Sequence, residues 1–193
     1  MSYPYRASTG NAVTAWCRTT GNVATMNERA SAPGGLALIE ALVNTLQDIT
    51  TGADTLGSAK VRERFGITAD GVDDARELRE SLRATCLAHA GHPPHRAVTP
   101  LGELLAKAPL RVLVDDRDGS AALVPLHDDA SLLSRVAAAI AEATAAGTWT
   151  RLKACEAEDC RWAFYDRSPA GRGRWCSMAV CGARAKMRRY RAK

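Results

Sequence analysis

From Gly35 onward the apolar positions fall into register. LALIEALVNTLQDI places Ile39, Leu42, Val43, Leu46 and Ile49 on one helical face, and Thr50, Thr51 and Gly52 supply the stop. A short helix is expected over 58–65. A longer one follows, capped by Asp70 or Asp73, with Val72, Ala75, Leu78, Leu82 and Cys86 inward and Arg76, Glu77, Arg79, Glu80 and Arg83 outward. Cys86 reads as a small core residue. HAGHPPHR breaks the pattern and reads as an exposed loop. Its His89, His92 and His95 lack a nearby acid or cysteine, and Pro93 and Pro94 deny them a common helical face. Thr99 and Pro100 look like the N-cap and first residue of a short helix through LGELLAKA. Two β-rich runs around Asp-Arg-Asp-Gly predict a hairpin with strands near 110–115 and 120–125. Asp128 or Asp129 then caps a long helix, with Leu132, Leu133, Val136, Ile140 and Ala143 inward and Gly147 at its end.

The last stretch has a different rhythm. RWAFYDRS, residues 161–168, alternates like a strand with Trp162 and Phe164 on one face. PAGRG is a turn, and RWC is a short return strand ending on Cys176. SMAVCGARAKMRRYRAK is helical, with Val180, Ala183, Met187 and Tyr190 as an apolar seam expected to pack on the hairpin aromatics. Arg184, Arg188 and Arg191 line one flank of that helix, and Lys186, Arg189 and Lys193 line the other. Residues 1–33 are polar and poorly patterned and read as a flexible arm in which Cys17 and Trp16 have no evident partner; Met26 is an alternative start. The organisation expected is therefore an arm over 1–33, a mostly helical domain over 34–148 and a small unit over 149–193. The fold class is mostly α with a β-hairpin, α+β in sum.

Composition is that of a soluble globular protein, with 46% hydrophobic and 24% charged residues among 193. No apolar run reaches the length of a membrane span, and the first residues lack the apolar core of a signal peptide, so the cytoplasm is the expected compartment. Charge changes the picture more. The net +5 divides into +8 over 151–193 (twelve Lys and Arg, four acids) and −3 over the remainder (fourteen against seventeen). From Arg167 onward there are nine basic residues and no acid. Such a concentration suits a polyanion, nucleic acid first; the plainer reading is a solvated tail that aids solubility.

Four of the six cysteines, Cys155, Cys160, Cys176 and Cys181, fall in the same segment with the spacing C-x4-C-x15-C-x4-C. Two close pairs joined by a loop are what one tetrahedral zinc needs, and in a reducing compartment clustered cysteines favour metal over disulfide. A unit of this size has too small a core to hold itself. Zinc binding, worth on the order of 10 kcal/mol in finger peptides, would fix it. Four thiolates leave the metal no open position, which makes the zinc structural, and all four histidines lie outside the unit. Knuckle, hairpin and helix in that order form a treble-clef-like zinc finger with four cysteine ligands. No phosphate loop or nucleophile motif occurs elsewhere, so no enzyme is expected. Arg167, Arg172 and Arg174 in the hairpin are candidate phosphate contacts beside Arg184, Lys186, Arg188, Arg189, Arg191 and Lys193 on the helix.

The run from Cys155 to Lys193, with CRWAFYDRSPAGRGRWCSMAVCGARAKMRRYRAK at its heart, resembles the CGNR zinc-finger proteins of bacteria, whose finger follows a mostly helical domain called ABATE; LALIEALVNTL resembles that domain's opening helix. The resemblance spans about residue 35 to the end. It implies a transcription regulator, sometimes called stress-induced, with zinc on Cys155, Cys160, Cys176 and Cys181 and DNA touched by the finger at the nucleoid. The naming motif Cys-Gly-Asn-Arg stands here as Cys181-Gly182-Ala183-Arg184. Arg184 is carried over. Ala183 stands in place of the motif asparagine: if that asparagine contacts a base or caps a turn, the contact is lost here, and a packing role for Ala183 on the apolar seam stands equally open, so no function is assigned to it. The helical domain is expected to act as sensor of a small-molecule ligand or as dimerisation unit. A second reading is a zinc-stabilised adaptor whose partner is RNA polymerase, another protein or structured RNA.

Overall fold

The computed structural model describes residues 30–48, 52–126 and 131–192. Helix α1 (Leu36–Val43) buries Leu36, Ile39, Leu42 and Val43. It stops earlier than its apolar spacing predicts, because Thr45 turns its hydroxyl back to the Leu42 carbonyl at 2.7 Å and its own carbonyl receives the Thr55 amide. Leu46, expected on the helix face, instead opens strand β1 (Leu46–Asp48), antiparallel to β2 (Ala53–Asp54). Ile49 lies outside the described residues.

Helix α2 (Ala59–Phe65) runs as predicted and ends on Gly66, whose φ of +65° is the left-handed value a helix C-terminus asks of glycine. Helix α3 (Val72–Ala88) starts after Gly71 rather than on an Asp70 or Asp73 cap. Its inward set of Ala75, Leu78, Leu82 and Cys86 is buried as expected. Arg79, Glu80 and Arg83, expected outside, are buried too, at 4%, 3% and 0% exposure. Pairing allows it. Glu80 receives Arg79 at 2.8 Å and Arg83 at 3.2 Å, and Arg79 also meets Asp54 at 2.8 Å. Periodicity finds one apolar face; here a second, ionic face is covered because α3 packs between α1 and the C-terminal segment.

The histidine segment is folded onto the body rather than exposed. His89 Nδ1 lies 2.8 Å from the Leu152 carbonyl, and the ring sits edge-on to Trp149. His95 Nε2 reaches Glu80 at 2.9 Å, and His92 lies 3.7 Å from Glu156. The three rings therefore face three different partners. Helix α4 (Leu101–Leu105) has Pro100 at its cap, one place later than expected, while the Thr99 hydroxyl is spent on Glu77 at 2.5 Å. Strands β3 (Leu110–Val114) and β4 (Ala121–Pro125) form the predicted hairpin. Helix α5 (Leu132–Ala145) is capped by Ser131, whose hydroxyl accepts the Ser134 amide. Asp128 and Asp129, the expected caps, lie outside the described residues. Gly147, at φ +65°, closes that end as predicted.

A last pair, β5 (Leu152–Ala154) and β6 (Ala163–Tyr165), divides the molecule's apolar interior. Leu152, Ala154 and Ala163 belong to the main core with Leu36, Ile39, Leu82 and Val136. Phe164, on the other side of the pleat, joins Cys155, Ala157, Cys176 and Cys181 in a second cluster with Trp162 and Trp175 against it. The small unit at the C-terminus thus shares one face of its hairpin with the helical domain. Among the described residues no helix is long and apolar enough to cross a membrane.

Candidate metal centre and basic helix

The first cysteine pair is built on a tight knuckle. Cys155 leaves β5 with its amide on the Trp162 carbonyl. The Ala157 carbonyl then takes the amides of both Cys160 and Arg161, and Arg161 adopts φ +49°, the only left-handed non-glycine among the described residues. This turn uses the four intervening residues that a shorter gap would lack. The second pair is set by Ser177, which caps a single π turn, Met178–Gly182, with its hydroxyl on the Val180 amide. Cys181 lies inside that turn and Cys176 just before it. Gly182 fits closely: a Cβ there would stand 3.1 Å from the Met178 sulfur and 3.3 Å from Trp175, so a side chain would have to push one of them aside. Helix α6 (Ala183–Arg191) continues from the turn.

Together the two knuckles bring the four sulfurs within 4.8 Å of one another, and among the described residues this is the one such cluster. Cys160 and Cys176 Sγ are 3.5 Å apart, and Cys176 and Cys181 Sγ are 3.7 Å apart. A tetrahedron of sulfurs at the usual zinc bond length has edges of about 3.8 Å. Cys155, Cys176 and Cys181 are buried. Thiol donors from Cys160 and Cys176, with the backbone amides of Cys176 and Ala157, pull the Cys155 thiol far down, while that same thiolate pushes Cys160 and Cys176 up. Four sulfurs this close cannot all ionise without a cation between them, and zinc supplies that charge. The donor set and spacing fit one structural zinc.

Around the cluster, charges that looked free in the sequence are in use. Arg184 joins the knuckles: its Nη2 donates to Cys181 Sγ at 3.3 Å and its Nη1 meets Asp159 at 2.8 Å. Arg174 forms a two-pronged pair with Glu156, both contacts at 2.5 Å, and its guanidinium lies over Trp175. Arg167 donates to the carbonyls of Ala30 and Ser31 at 2.8 and 2.6 Å over the Tyr165 ring. The sequence pattern missed the acceptors. Glu156 and Asp159, both between the first two cysteines, were the available signal, since an acid beside thiolates asks for a cation.

The loop before Cys176 departs from expectation. RWC is not a return strand; β6 pairs with β5, ahead of the first cysteine. The backbone of 168–173 is committed elsewhere: Asp166 accepts the amides of Ser168 and Gly173, and Lys153 pairs with Asp166 at 3.0 Å and with the Gly171 carbonyl. The seam on the final helix is also not core. Val180 packs on the cysteine cluster, but Ala183 is exposed, Met187 is 50% exposed and Tyr190 76%. No residue of α6 is buried. Zinc and Ser177 fix its start, and nothing beyond its first turn needs a neighbour. Lys186, Arg188, Arg189 and Arg191 are exposed with no acidic partner among the described residues, as is Arg172. Lys193 lies outside them.

Compared with known families, residues 6–147 match the profile of ABATE, described as "Putative stress-induced transcription regulator". The chain belongs to the ABATE family. Residues 151–193 match the CGNR zinc finger, so the cysteine cluster is the metal centre of that finger. The ABATE match begins well ahead of residue 35, where the apolar pattern first becomes regular. No curated protein matches the chain significantly. The ABATE family is described as a transcription regulator rather than as an enzyme. The finger's motif arginine, Arg184, lies against the metal ligands, and the exposed Ala183 marks the position of the motif asparagine as a surface one.

Proposed function

We propose that this ABATE protein is a DNA-binding transcription regulator, working in the cytoplasm at the nucleoid, whose CGNR finger presents α6 to the duplex. The observation that carries this is α6 itself: a helix fixed at one end by the cysteine cluster, buried nowhere, with Lys186, Arg188, Arg189 and Arg191 exposed and without acidic partners among the described residues. A helix of that width and charge suits the major groove or its phosphate walls. Arg172 extends the basic surface, and Lys193 would continue it. Arg167, Arg174 and Arg184, each engaged within the protein, position the finger rather than contact phosphate. The helical domain serves as sensor, with a small-molecule ligand, or as dimerisation unit. A mobility shift with duplex DNA at low salt tests the reading: the zinc-loaded chain retards DNA, and Arg188→Glu with Arg189→Glu abolishes the shift at unchanged zinc content. No shift by the wild type overturns it.

A second reading has its own observation. Met178, Met187 and Tyr190 are all at least half-exposed beside the same charges, and an apolar stripe suits a protein surface such as RNA polymerase, or bases of structured RNA. Recovery of polymerase by the wild type and by the Arg188 and Arg189 variant alike would favour it.

A further inference from the structure

The β3–β4 hairpin lies against α5 but keeps several apolar residues in solvent. Val112 is 64% exposed, Val114 53%, Leu123 47% and Leu113 38%. Its two edges are not alike. The register pairs Leu113 with Ala122 and Arg111 with Val124, and the flanking bonds run from Asp115 N to Ser120 O and from Leu126 N to Pro109 O. By the alternation of an antiparallel ladder, Arg111, Leu113 and Asp115 turn their backbone groups toward β4, while Leu110, Val112 and Val114 turn theirs outward. On β4 the outward positions are Ala121, Leu123 and Pro125, and Pro125 has no N–H to offer. The β4 side also lies along α5. The β3 edge carries no proline, and its outward residues are two valines and a leucine. An edge of this kind pairs with another strand unless something blunts it.

We propose that the β3 edge is the dimerisation surface, and that its occupant is β3 of a second copy, antiparallel about a two-fold axis at Leu113. The register follows from the side chains. With Leu113 opposite itself, Val112 of each copy faces Val114 of the other through outward-turned backbone groups, as the ladder requires. The same register sets Arg111 opposite Asp115 twice, once on each side of the axis. Arg111 is exposed with no acidic partner among the described residues. Asp115 accepts the Arg117 backbone amide at 2.9 Å and its guanidinium at 2.8 and 3.1 Å, and that guanidinium sits on a side chain 84% exposed, free to yield its place to Arg111 of the second copy. A single strand that carries a cation two residues before the axis and an anion two residues after it is complementary to its own copy, and opposite charges face across the ladder. The two hairpins then make one four-stranded sheet. This names the surface for the dimerisation part of the proposed function and rests on that part of the reading; it does not depend on DNA, so it is tested without it.

Sedimentation of the zinc-loaded full chain over a concentration series is the measurement. Wild type is expected to sediment as a dimer, Arg111→Asp and Asp115→Arg each as a monomer, and the double exchange as a dimer again, all with the same helical content and zinc. Leu113→Cys should form a disulfide-linked dimer under mild oxidation, because residues opposite each other in a non-hydrogen-bonded pair have Cα atoms about 4.5 Å apart. Val124→Cys, on the same face but the other strand, should not. A monomeric wild type, single exchanges that remain dimers, or a double exchange that stays monomeric overturns the proposal. If the dimer behaves as expected but no DNA is bound, the finger's assigned role has failed and the dimer has not.

Discussion

The side chain of Asn44 pairs with both backbone groups of Ala163: its Nδ2 donates to the carbonyl at 3.0 Å, and its Oδ1 accepts the amide at 2.8 Å. Asn44 follows the first helix of the ABATE domain, and Ala163 opens the strand between the finger's two knuckles. One side chain thereby closes the free edge of β6. Arg83 adds a second tie, from the same domain to the Arg161 carbonyl at 2.7 Å.

Asn44→Leu should therefore destabilise the whole chain. It leaves a buried amide and carbonyl unsatisfied, a cost of about 1–3 kcal/mol. A urea midpoint that falls for both helical and tryptophan signals together checks it; loss of the finger signal alone would mean that Asn44 matters only locally.

Glu80 sets an acid limit. Burial raises its carboxyl, but His95, Arg83 and Arg79 outweigh that and hold it at about 2, below its ordinary 4.5. A depressed folded value means the stabilisation is complete above about pH 4.5 and fades as the pH falls toward 2. Glu80→Gln should lower stability at neutral pH by roughly 3–5 kcal/mol, since it leaves buried Arg83 with carbonyl acceptors alone and Arg79 with Asp54 as its one carboxylate among the described residues. The gap between variant and wild type should narrow as the solution is acidified, which chemical denaturation at several pH values will measure.

Much of this was legible from the chain. The cysteine spacing marked the metal centre, and turn residues marked the β3–β4 hairpin and the end at Gly147. Periodicity failed at Leu46, where Thr45 and its hydrogen bonds outweigh helical spacing. It failed at Arg79, Glu80 and Arg83, because a charged face becomes interior once its charges pair with one another and with residues such as Asp54 and His95 from other segments. It failed again on the final helix, where 3.6-residue spacing of Ala183, Met187 and Tyr190 reports an amphipathic surface without saying what covers it.

Arg184 and Arg188 lie one turn apart and should behave differently. Arg184→Ala removes the guanidinium from Cys181 Sγ and Asp159. Outer partners of metal ligands are commonly worth 10–100-fold in affinity, and competition with a chelator should show a loss of about that size. Arg188→Ala should leave zinc affinity unchanged.

Chelation itself should release the finger while leaving most of the helical core. Only the second cluster depends on the sulfurs, whereas Leu152, Ala154 and Ala163 are anchored in the main core. Amide exchange after metal removal should accelerate over 155–161 and 174–191 and stay slow in α1, α3, α5 and the β5–β6 pair. Equal acceleration throughout would show that the zinc holds the entire fold.

The central claim, that the metal-anchored α6 meets a nucleic-acid backbone, is tested most directly by the salt dependence of DNA affinity. For contacts by Lys186, Arg188, Arg189 and Arg191, log K should fall linearly with log salt at a slope of about −0.9 per phosphate neutralised, roughly −3.6 in all. Arg188→Ala with Arg189→Ala should reduce that slope by about 2 at unchanged zinc content. A slope near zero, or one indifferent to those two arginines, contradicts the account.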